Sequence, residues 1–295
     1  MDRRATLRLG HSPDPDDAFM WWPLLELDGR TAPVASPRFR FEAVPADIEA
    51  LNRRARAGDD LLEISAFSCA TYARIADRYA LTACGSSVGD GYGPKVVART
   101  PRDAAALRGA HVAIPGEGTT AFLVTNLLVG PGAFRATAVP FKEIPQRVAA
   151  GEFDAGVVIH EGQLTFERDG LVLVEDLGRW WKARTGLPLP LGANGVLRAL
   201  DRLHGPGTMQ EVAVLLERSI RHALAHREES IRYAMRFADG MTEELADRFV
   251  GMYVNRWTID YGPDGRRAVR ALLDAAADAG LLPRVEDPDF VGGAT

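Results

Sequence analysis

Residues 6–27 read TLRLGHSPDPDDAFMWWPLLEL, and this stretch decides the fold that we predict. Residues 6–10 alternate between apolar and polar side chains, which is typical of a half-buried strand. A turn rich in proline and aspartate follows, and residues 17–27 then carry apolar side chains at helical spacing. A strand that passes through a short turn into a helix is the first unit of an α/β fold.

The same pattern continues beyond this stretch. Residues 38–44 and 61–65 have strand character, and residues 47–57 between them have the periodicity of a helix. Asp47 is placed to cap that helix and Gly58 to end it. The order strand, helix, strand, helix, strand predicts a mostly parallel sheet with helices on both faces.

A second and smaller α/β unit follows a glycine-rich break at residues 85–94. It ends near residues 187–192, LPLPLG, where the prolines disfavour regular structure. The rest of the chain is predicted to be helical, with Thr208 and Glu211 as a capping box and further helices from Thr242 and Gly265. In the second unit the predicted strands cover residues 95–99, 111–114, 135–140 and 155–160, and the predicted helices cover residues 119–128 and 143–149.

The composition limits the classes of protein to consider. Of the 295 residues, 46% are hydrophobic, which is enough for a buried core, and the length suggests about two domains. A net charge of −5 without a basic stripe argues against a nucleic-acid-binding protein. We find no signal peptide and no apolar run of about 18 residues, so we expect a cytoplasmic protein without a membrane span. Cys69 and Cys84 match no metal-binding spacing, and we expect buried free thiols rather than one disulfide.

Residues that directly follow predicted strands are the candidate site residues, because ligands of open α/β sheets bind beyond the carboxyl ends of the strands. The first such segment, HSPDPDDAF at residues 11–19, combines a rigid turn with a helix start, where backbone N–H groups can face a ligand. The second is SAFS at residues 65–68. The acids of the first segment and Ser68 of the second are equally explained as ordinary helix-start residues.

Two further segments offer more specific chemistry. In PGEGTT, residues 115–120, glycines follow a strand and Thr119 and Thr120 open a helix, so backbone and hydroxyl groups could hold a carboxylate. A plain turn with a helix cap is the alternative, and the segment lacks the lysine of a Walker loop. In VVIHEG, residues 157–162, a buried strand ends at His160. Histidine titrates near neutral pH and suits a general base, whereas a hydrogen-bonded core histidine is the structural alternative.

Six stretches, in this order along the chain, carry a family resemblance: LGHSPDPDDAF, GYGPKVVAR, PGEGTTAF, FDAGVVIHEG, DLGRWWKARTGLPLPLG and MYVNRWTIDYG. Their combination resembles the 1,4-dihydroxy-6-naphthoate synthase family of the futalosine route to menaquinone, from about residue 7 to residue 282. The resemblance implies a two-lobed α/β fold like that of the type II periplasmic binding proteins, with mixed sheets and a helical C-terminal region. A larger domain of residues 1–96 and 191–295 and an inserted smaller domain of residues 97–190 would enclose the substrate cleft.

The resemblance also implies a reaction and the residues that carry it. The reaction is the conversion of cyclic dehypoxanthine futalosine to 1,4-dihydroxy-6-naphthoate with release of dihydroxyacetone, without a metal or an organic cofactor. His160 corresponds to the family's catalytic histidine, the general base. The implied ligand is a small anionic substrate, and the implied substrate-binding residues are Asp17, Ala66, Phe67, Ser68, Thr119 and Thr120.

The chain departs from the family pattern at two places. Ala66 stands where some relatives carry a lysine, so a helix N-terminus, Thr119 or an arginine is left to neutralise the substrate carboxylate. Asp14 and Asp16 stand where relatives often have cysteine and asparagine. Because two extra acids would repel an anionic ligand, we expect both to point away from it or to cap the helix.

The mechanism implied is proton abstraction by His160 followed by carbon–carbon fragmentation, in a cleft that closes to exclude water. Glu161 is expected to have a structural role, because successive strand residues point to opposite faces. Two alternatives stay open, a chorismate dehydratase of the same pathway and fold and a non-catalytic solute-binding protein. The sequence does not predict an oligomeric state.

Overall fold

The computed structural model describes residues 4–238 and 241–293, so residues 1–3, 239–240 and 294–295 of the predicted larger domain lie outside the described residues. The strands are β1 (Ala5–His11), β2 (Phe39–Pro45), β3 (Ile64–Ser68), β4 (Tyr79–Thr82), β5 (Ser87–Gly89), β6 (Lys95–Ala98), β7 (His111–Ile114), β8 (Arg135–Ala138), β9 (Ala155–Val158), β10 (Val172–Asp176), β11 (Leu189–Leu197) and β12 (Phe290–Val291).

Helices separate most of these strands and make up the C-terminal region. They are α1 (Pro15–Trp21), α2 (Ile48–Ala57), α3 (Cys69–Tyr72), α4 (Thr120–Val129), α5 (Ile144–Ala149), α6 (Gly162–Thr165), α7 (Leu177–Thr185), α8 (Leu200–His204), α9 (Thr208–Ala225), α10 (Arg227–Ala234), α11 (Glu243–Tyr253), α12 (Arg256–Ile259) and α13 (Gly262–Asp278). Short 3₁₀ helices cover Trp22–Leu24, Ala104–Leu107, Phe141–Glu143 and Phe166–Asp169. None of the helices within the described ranges has the length and apolar character that a membrane crossing requires.

The strands form two mixed sheets. The first has seven strands in the order β12-β4-β11-β3-β1-β2, with β5 paired to β11, and the second has five in the order β10-β6-β9-β7-β8. β1 is parallel to β2 and β3, as the opening pattern predicts, but β11 is antiparallel to β3, β4 and β5. The expectation of a mostly parallel first sheet is therefore wrong, because β11 returns through the middle of that sheet after the second sheet is complete.

Residues 189–192 of the proline-rich stretch are regular, against the prediction, whereas residues 187 and 188 are not. Leu189 begins β11, and Pro190 lies opposite Val88 of β5 beside an irregularity in the pairing between Pro190 and Gly192. A strand tolerates proline where its hydrogen-bond ladder is interrupted, because the missing N–H is not needed there.

The ends of two helices confirm the predicted caps. The Asp47 carboxylate caps α2 by accepting from the Glu49 N–H at 2.9 Å, and Gly58 ends the helix with a left-handed φ of 85°. The Thr242 hydroxyl accepts from the Leu245 N–H at 3.2 Å at the start of α11. The local sequence therefore predicted the starts of these two helices correctly.

The predicted capping box at Thr208 is wrong. Gly207, in a left-handed conformation, is the N-cap residue of α9, so Thr208 is already the first residue of the helix. The Thr208 hydroxyl donates to the Gly205 carbonyl at 2.7 Å, and Glu211 pairs with Arg38. The helix itself lies where the apolar periodicity places it.

Each sheet is the centre of one lobe. The large lobe contains β1–β5, β11 and β12 with α1–α3 and α8–α13, and the small lobe contains β6–β10 with α4–α7. Phe67 and Leu81 of the large lobe belong to the same buried cluster as Val157 of the small lobe, so apolar packing continues from one lobe to the other. Cys69 and Cys84 are buried free thiols, as expected.

We expect Asp47→Ala to lower the free energy of unfolding by about 1 kcal/mol, because the first turn of α2 loses its side-chain acceptor. Urea denaturation followed by circular dichroism measures this change. Asp59→Ala removes an exposed acid beyond the end of α2 and is the matched control, with an expected midpoint equal to that of the wild type. Equal midpoints for Asp47→Ala and the wild type would contradict the capping role.

Candidate active site

A cleft lies between the two lobes, beside the ends of β1, β3 and β9. The space among its lining atoms, including the part that is open to solvent, is about 720 Å³. Both lobes line it, and much of its wall is apolar. The apolar side includes Ile48, Phe67, Pro94, Ile159, Leu191 and Phe249.

The turn between β1 and α1 and the first helical turn of α1 place Asp14, Asp16 and Asp17 in the lining of the cleft. We call these residues, 12–17, the acidic turn. Asp17 accepts from the Ser12 N–H at 2.7 Å, while the Ser12 hydroxyl donates to Asp14. Asp14 precedes α1, yet its side chain caps no N–H of the helix. The expectation that Asp14 points away or caps the helix is therefore wrong. The N–H groups that an N-cap side chain reaches in this helix belong to Asp16 and Asp17, and the Asp16 carboxylate itself meets both of them. For Asp16 the expectation of a contact with the helix start is therefore confirmed.

Burial reduces the negative charge that Asp16 and Asp17 give to the cleft. It raises the pKa of Asp16 to about 6, and the neighbouring Asp14 charge adds to the shift. Burial, together with the Asp16 charge, also raises the pKa of Asp17 well above its usual value. Both carboxyl groups therefore hold a proton at higher pH than exposed aspartates do, which reduces their repulsion of an anionic ligand.

His160 lies at the cleft wall, two residues beyond β9, with 18% of its side chain exposed. Its Nδ1 lies 3.1 Å from Oδ2 of Asp14. The ring packs between Phe141 and Phe249, with centroid separations of 4.7 and 6.4 Å. The backbone φ of 50° is unusual for a residue with a β-carbon, and such strain concentrates at functional sites. A sealed core histidine, the structural alternative, does not describe this residue.

Gln163 holds the loop that carries His160. In the amide orientation that satisfies its neighbours, its oxygen accepts from the His160 backbone N–H at 3.2 Å and from the Tyr253 hydroxyl at 2.9 Å. Its nitrogen then donates to the Gly93 carbonyl at 2.6 Å. Since Tyr253 belongs to α11, this network connects the His160 loop to the large lobe.

Ala66, Phe67 and Ser68, at the end of β3, all line the cleft. Ser68 precedes α3, but its side chain caps no N–H of that helix, so the capping interpretation is wrong. The Ser68 N–H donates to the Asn52 amide oxygen at 2.8 Å, and the Ser68 hydroxyl oxygen accepts from the Asn52 amide nitrogen at 3.1 Å. The hydroxyl proton of Ser68 is thereby available for an acceptor in the cleft.

Thr119 is the cap of α4. Its hydroxyl accepts from the Phe122 N–H at 3.2 Å and donates to the Gly116 carbonyl at 2.7 Å. Among the predicted binding residues within the described chain, Thr119 is the one that does not line the cleft. Substrate binding by its hydroxyl stays a prediction.

Thr120 does line the cleft, although its hydroxyl is already used between the lobes. It accepts from the Ala70 N–H at 3.2 Å and donates to the Leu191 carbonyl at 2.7 Å. The start of α4 instead offers the backbone N–H groups of Thr120 and Ala121, which have no acceptor within the helix. Such groups favour an anionic ligand.

Gly116 and Gly118, which precede α4, have a different structural role from the one expected. We predicted that they let a ligand approach the backbone, but the side chain of Glu49 from the large lobe occupies this space. Its carboxylate accepts from the Gly118 N–H at 3.1 and 3.2 Å. A β-carbon at Gly116 would lie 2.5 Å from Glu49 Cγ, and one at Gly118 would lie 2.7 Å from its carboxylate. Only glycine permits this contact between the lobes.

Sequence analysis missed Gln163, Asn194, Phe249 and Tyr253, which all line the cleft. The Asn194 nitrogen donates to the Gly85 carbonyl at 2.6 Å, and its buried Oδ1 has no hydrogen-bond partner in the described structure. Tyr253 lies in the stretch MYVNRWTIDYG, so a family signal for it was present. Phe249 lies within a helix whose apolar residues resemble ordinary core residues.

The chemistry available in the cleft is that of proton transfer. The lining contains the His160 imidazole, carboxyl groups and neutral hydrogen-bonding groups, but no lysine or arginine among the described residues. Glu161 does not line the cleft. Within residues 4–238 and 241–293, no cluster of three or more histidine, cysteine or acidic side chains is arranged to hold a metal ion.

A family model described as menaquinone biosynthesis matches residues 7–278. The chain belongs to this family. Two curated relatives are named 1,4-dihydroxy-6-naphthoate synthase, which is the name of an enzyme. The protein of Thermus thermophilus is 41% identical over 285 residues, 97% of this chain and 99% of the relative. That of Streptomyces coelicolor is 37% identical over 282 residues, 94% of this chain and 95% of the relative.

Solved structures resemble this chain over most of its length. A protein of Archaeoglobus fulgidus superposes with a TM-score of 0.84 at 38% identity, covering 94% of this chain and 98% of that one. The alkanesulfonate-binding protein of Xanthomonas axonopodis, bound to MOPS, superposes with a TM-score of 0.67 at 16% identity, covering 96% of both chains. The second likeness concerns the fold alone, and it confirms the predicted binding-protein-like architecture.

We expect Thr119→Val to lower the free energy of unfolding by about 1 kcal/mol, because the Phe122 N–H loses its capping acceptor. Thr119→Ser keeps the hydroxyl and is the matched control, with an expected stability close to that of the wild type. Urea denaturation provides both values. Unchanged stability in Thr119→Val, combined with weakened ligand binding, would contradict the capping role and support a hydroxyl that contacts the ligand.

Proposed function

We propose that this protein is a 1,4-dihydroxy-6-naphthoate synthase, a carbon–carbon lyase of menaquinone biosynthesis. Its substrate would be cyclic dehypoxanthine futalosine, and its products 1,4-dihydroxy-6-naphthoate and dihydroxyacetone. The observation that carries the proposal is the position of His160, which lies in the wall of the cleft with its Nδ1 against Asp14. The names of the curated relatives support the choice of reaction.

His160 acts as the general base in this proposal. Its loop is held through Gln163, and Phe141 and Phe249 limit the rotation of its ring. A base held in a fixed position beside the substrate avoids much of the entropic cost of proton transfer. The apolar rings also exclude water from the imidazole, which favours transfer from the substrate over exchange with solvent.

The substrate carboxylate would bind at the start of α4. The N–H groups of Thr120 and Ala121 lack acceptors within the helix, and the partial positive charge of a helix N-terminus favours an anion. The Ser68 hydroxyl, whose oxygen is held by Asn52, adds a donor on the large lobe. These groups replace the cation that Ala66 cannot supply.

The hydroxylated part of the substrate would lie toward the acidic turn. Asp16 and Asp17 carry acceptors that line the cleft, and hydroxyl groups are the donors that such acceptors select. This orientation keeps the carboxylate away from the acids. It also brings the hydroxylated carbons near His160, which lies beside Asp14 of the same turn.

The reaction would then proceed in one direction because it ends in an aromatic ring. His160 removes a proton from the cyclic, hydroxylated part of the substrate, and the electrons of that bond form a carbon–carbon double bond as the neighbouring carbon–carbon single bond breaks. The electron pair of the broken bond goes to the three-carbon unit, which takes up the proton from His160 to become dihydroxyacetone. The three-carbon unit leaves, and the remaining ring becomes aromatic. Because the formation of the aromatic ring drives the reaction, the protein needs to position one base and to exclude water.

We expect His160→Ala to abolish turnover of cyclic dehypoxanthine futalosine while the variant keeps the wild-type fold and product affinity. Mass spectrometry of the reaction mixture detects 1,4-dihydroxy-6-naphthoate and dihydroxyacetone. His222→Ala, on α9 outside the cleft lining, is the matched control and should keep normal turnover. Product formation at the wild-type rate by His160→Ala would remove His160 from the mechanism.

The same assay separates the proposed reaction from its alternatives. Conversion of chorismate, with no change in cyclic dehypoxanthine futalosine, would identify a chorismate dehydratase. Tight binding of either compound without any product would identify a non-catalytic binding protein. Either result would contradict the proposed synthase activity.

We expect Ser68→Ala to weaken binding of 1,4-dihydroxy-6-naphthoate by about 1 kcal/mol, because a hydrogen bond to its carboxylate is lost. Binding of 1,4-dihydroxynaphthalene, which lacks the carboxylate, should not change. Calorimetric titration under reducing conditions measures both affinities. An equal loss for both compounds would place Ser68 at another part of the ligand.

A further inference from the structure

Asp14 and His160 belong to different lobes and meet at the cleft. Asp14 precedes α1 of the large lobe, whereas His160 follows β9 of the small lobe. Their nearest atoms, Oδ2 and Nδ1, are 3.1 Å apart, and the exposed fraction of the Asp14 side chain is 6%. Because solvent screens a buried carboxylate weakly, this pair interacts more strongly than a similar pair on the surface would.

The Asp14 carboxylate is fixed from its own lobe. The Ser12 hydroxyl donates to it, and the flanking Pro13 and Pro15 restrict the backbone on both sides. It makes no capping contact with α1, although it occupies the N-cap position. A carboxylate in this position usually stabilises its own helix, so its direction toward His160 calls for another explanation.

The His160 imidazole is also held in place from its own lobe and from the large lobe. The backbone N–H of His160 donates to Gln163, and the ring lies against Phe141 and Phe249. In a neutral imidazole one nitrogen carries the proton and the other is an acceptor. The group that faces Nδ1 therefore decides which nitrogen can act as a base.

We propose that Asp14 is the positioning residue of His160: its carboxylate keeps the proton on Nδ1 and leaves Nε2 to accept a proton from the substrate. It also stabilises the imidazolium that forms when that proton arrives. The inference rests on the proposed function, in which His160 is the base. Since the two residues come from separate lobes, the base has its orienting partner only while the lobes are together.

The other titratable groups near His160 do not replace Asp14. Asp16 and Asp17 belong to the same turn, and burial raises the pKa of both carboxyl groups, which favours their neutral forms. Burial likewise raises the pKa of Tyr253, which reaches the His160 loop from α11, so its hydroxyl stays protonated. Glu161, the neighbour in sequence, does not line the cleft. Asp14 is the group in contact with Nδ1.

The test is the tautomer of His160 in Asp14→Asn. In protein labelled with ¹⁵N-histidine, the signals of His160 are assigned by their loss in His160→Ala. We expect the wild type to show a protonated Nδ1 and an unprotonated Nε2, and Asp14→Asn to shift toward the opposite tautomer, because an amide can donate to Nδ1. We expect kcat for cyclic dehypoxanthine futalosine to fall by about 10²-fold or more, with KM changed less than about threefold.

Asp16→Asn is the matched control for loss of an acid from the same turn, and it should keep the wild-type tautomer. The asparagine amide nitrogen has two N–H groups, so it can donate to Nδ1 and to the Ser12 hydroxyl oxygen at the same time. The urea midpoint of Asp14→Asn checks that the fold is kept. An unchanged ¹⁵N pattern in Asp14→Asn would overturn the positioning role. The tautomer measurement needs no substrate, so it tests the role of Asp14 separately from the proposed function. If His160→Ala turned over substrate at the wild-type rate, the proposed function would fail, but the effect of Asp14 on the His160 tautomer would still be decided.

Discussion

Hydrogen bonds between the lobes hold the cleft in its shape. The Glu49 carboxylate reaches the Gly118 N–H, the Thr120 hydroxyl reaches the Leu191 carbonyl, and Tyr253 reaches Gln163 beside His160. Each contact joins buried polar groups, so separation of the lobes leaves these groups unpaired unless water replaces the lost partner. The distance from His160 to the large lobe, and with it the geometry of the site, depends on these contacts.

Local sequence rules predicted the elements whose partners are close in the chain. Periodicity and residues within one turn of each other predicted β1, β2, the strand His111–Ile114 and the Asp47 cap. β3 begins at Ile64, three residues later than predicted. The β11 strand could not be predicted in this way. Its prolines argue against a strand, and only its pairing with distant strands, including an irregularity at Pro190, makes the strand possible.

The site was predictable to the extent that it lies at strand ends. His160 and Ser68 were found because ligands bind beyond the carboxyl ends of strands, and both line the cleft. The directions of Asp14 and Thr119 were not predictable. They depend on which acceptor reaches the N–H groups of each helix start, and at α1 the Asp16 carboxylate meets the two N–H groups that Asp14 would have capped. Asn194 reaches the cleft through the pairing of β11 with distant strands, whereas Gln163 lies three residues after His160 and only its contacts with Tyr253 and Gly93 are distant in sequence.

The charges of the acidic turn would oppose an anionic substrate if all three acids were ionised, yet their effect differs between the stages of the proposed reaction. Before proton transfer, burial favours the neutral forms of Asp16 and Asp17, and in the proposed orientation the substrate carboxylate would lie at the start of α4. After proton transfer, the imidazolium of His160 lies against Asp14, and the two opposite charges form a pair. The acids thus stabilise the protonated base more than they destabilise the bound substrate, and only such a difference between the two states lowers the barrier. A binding protein of the same fold has no need of this difference, because its ligand leaves the cleft unchanged.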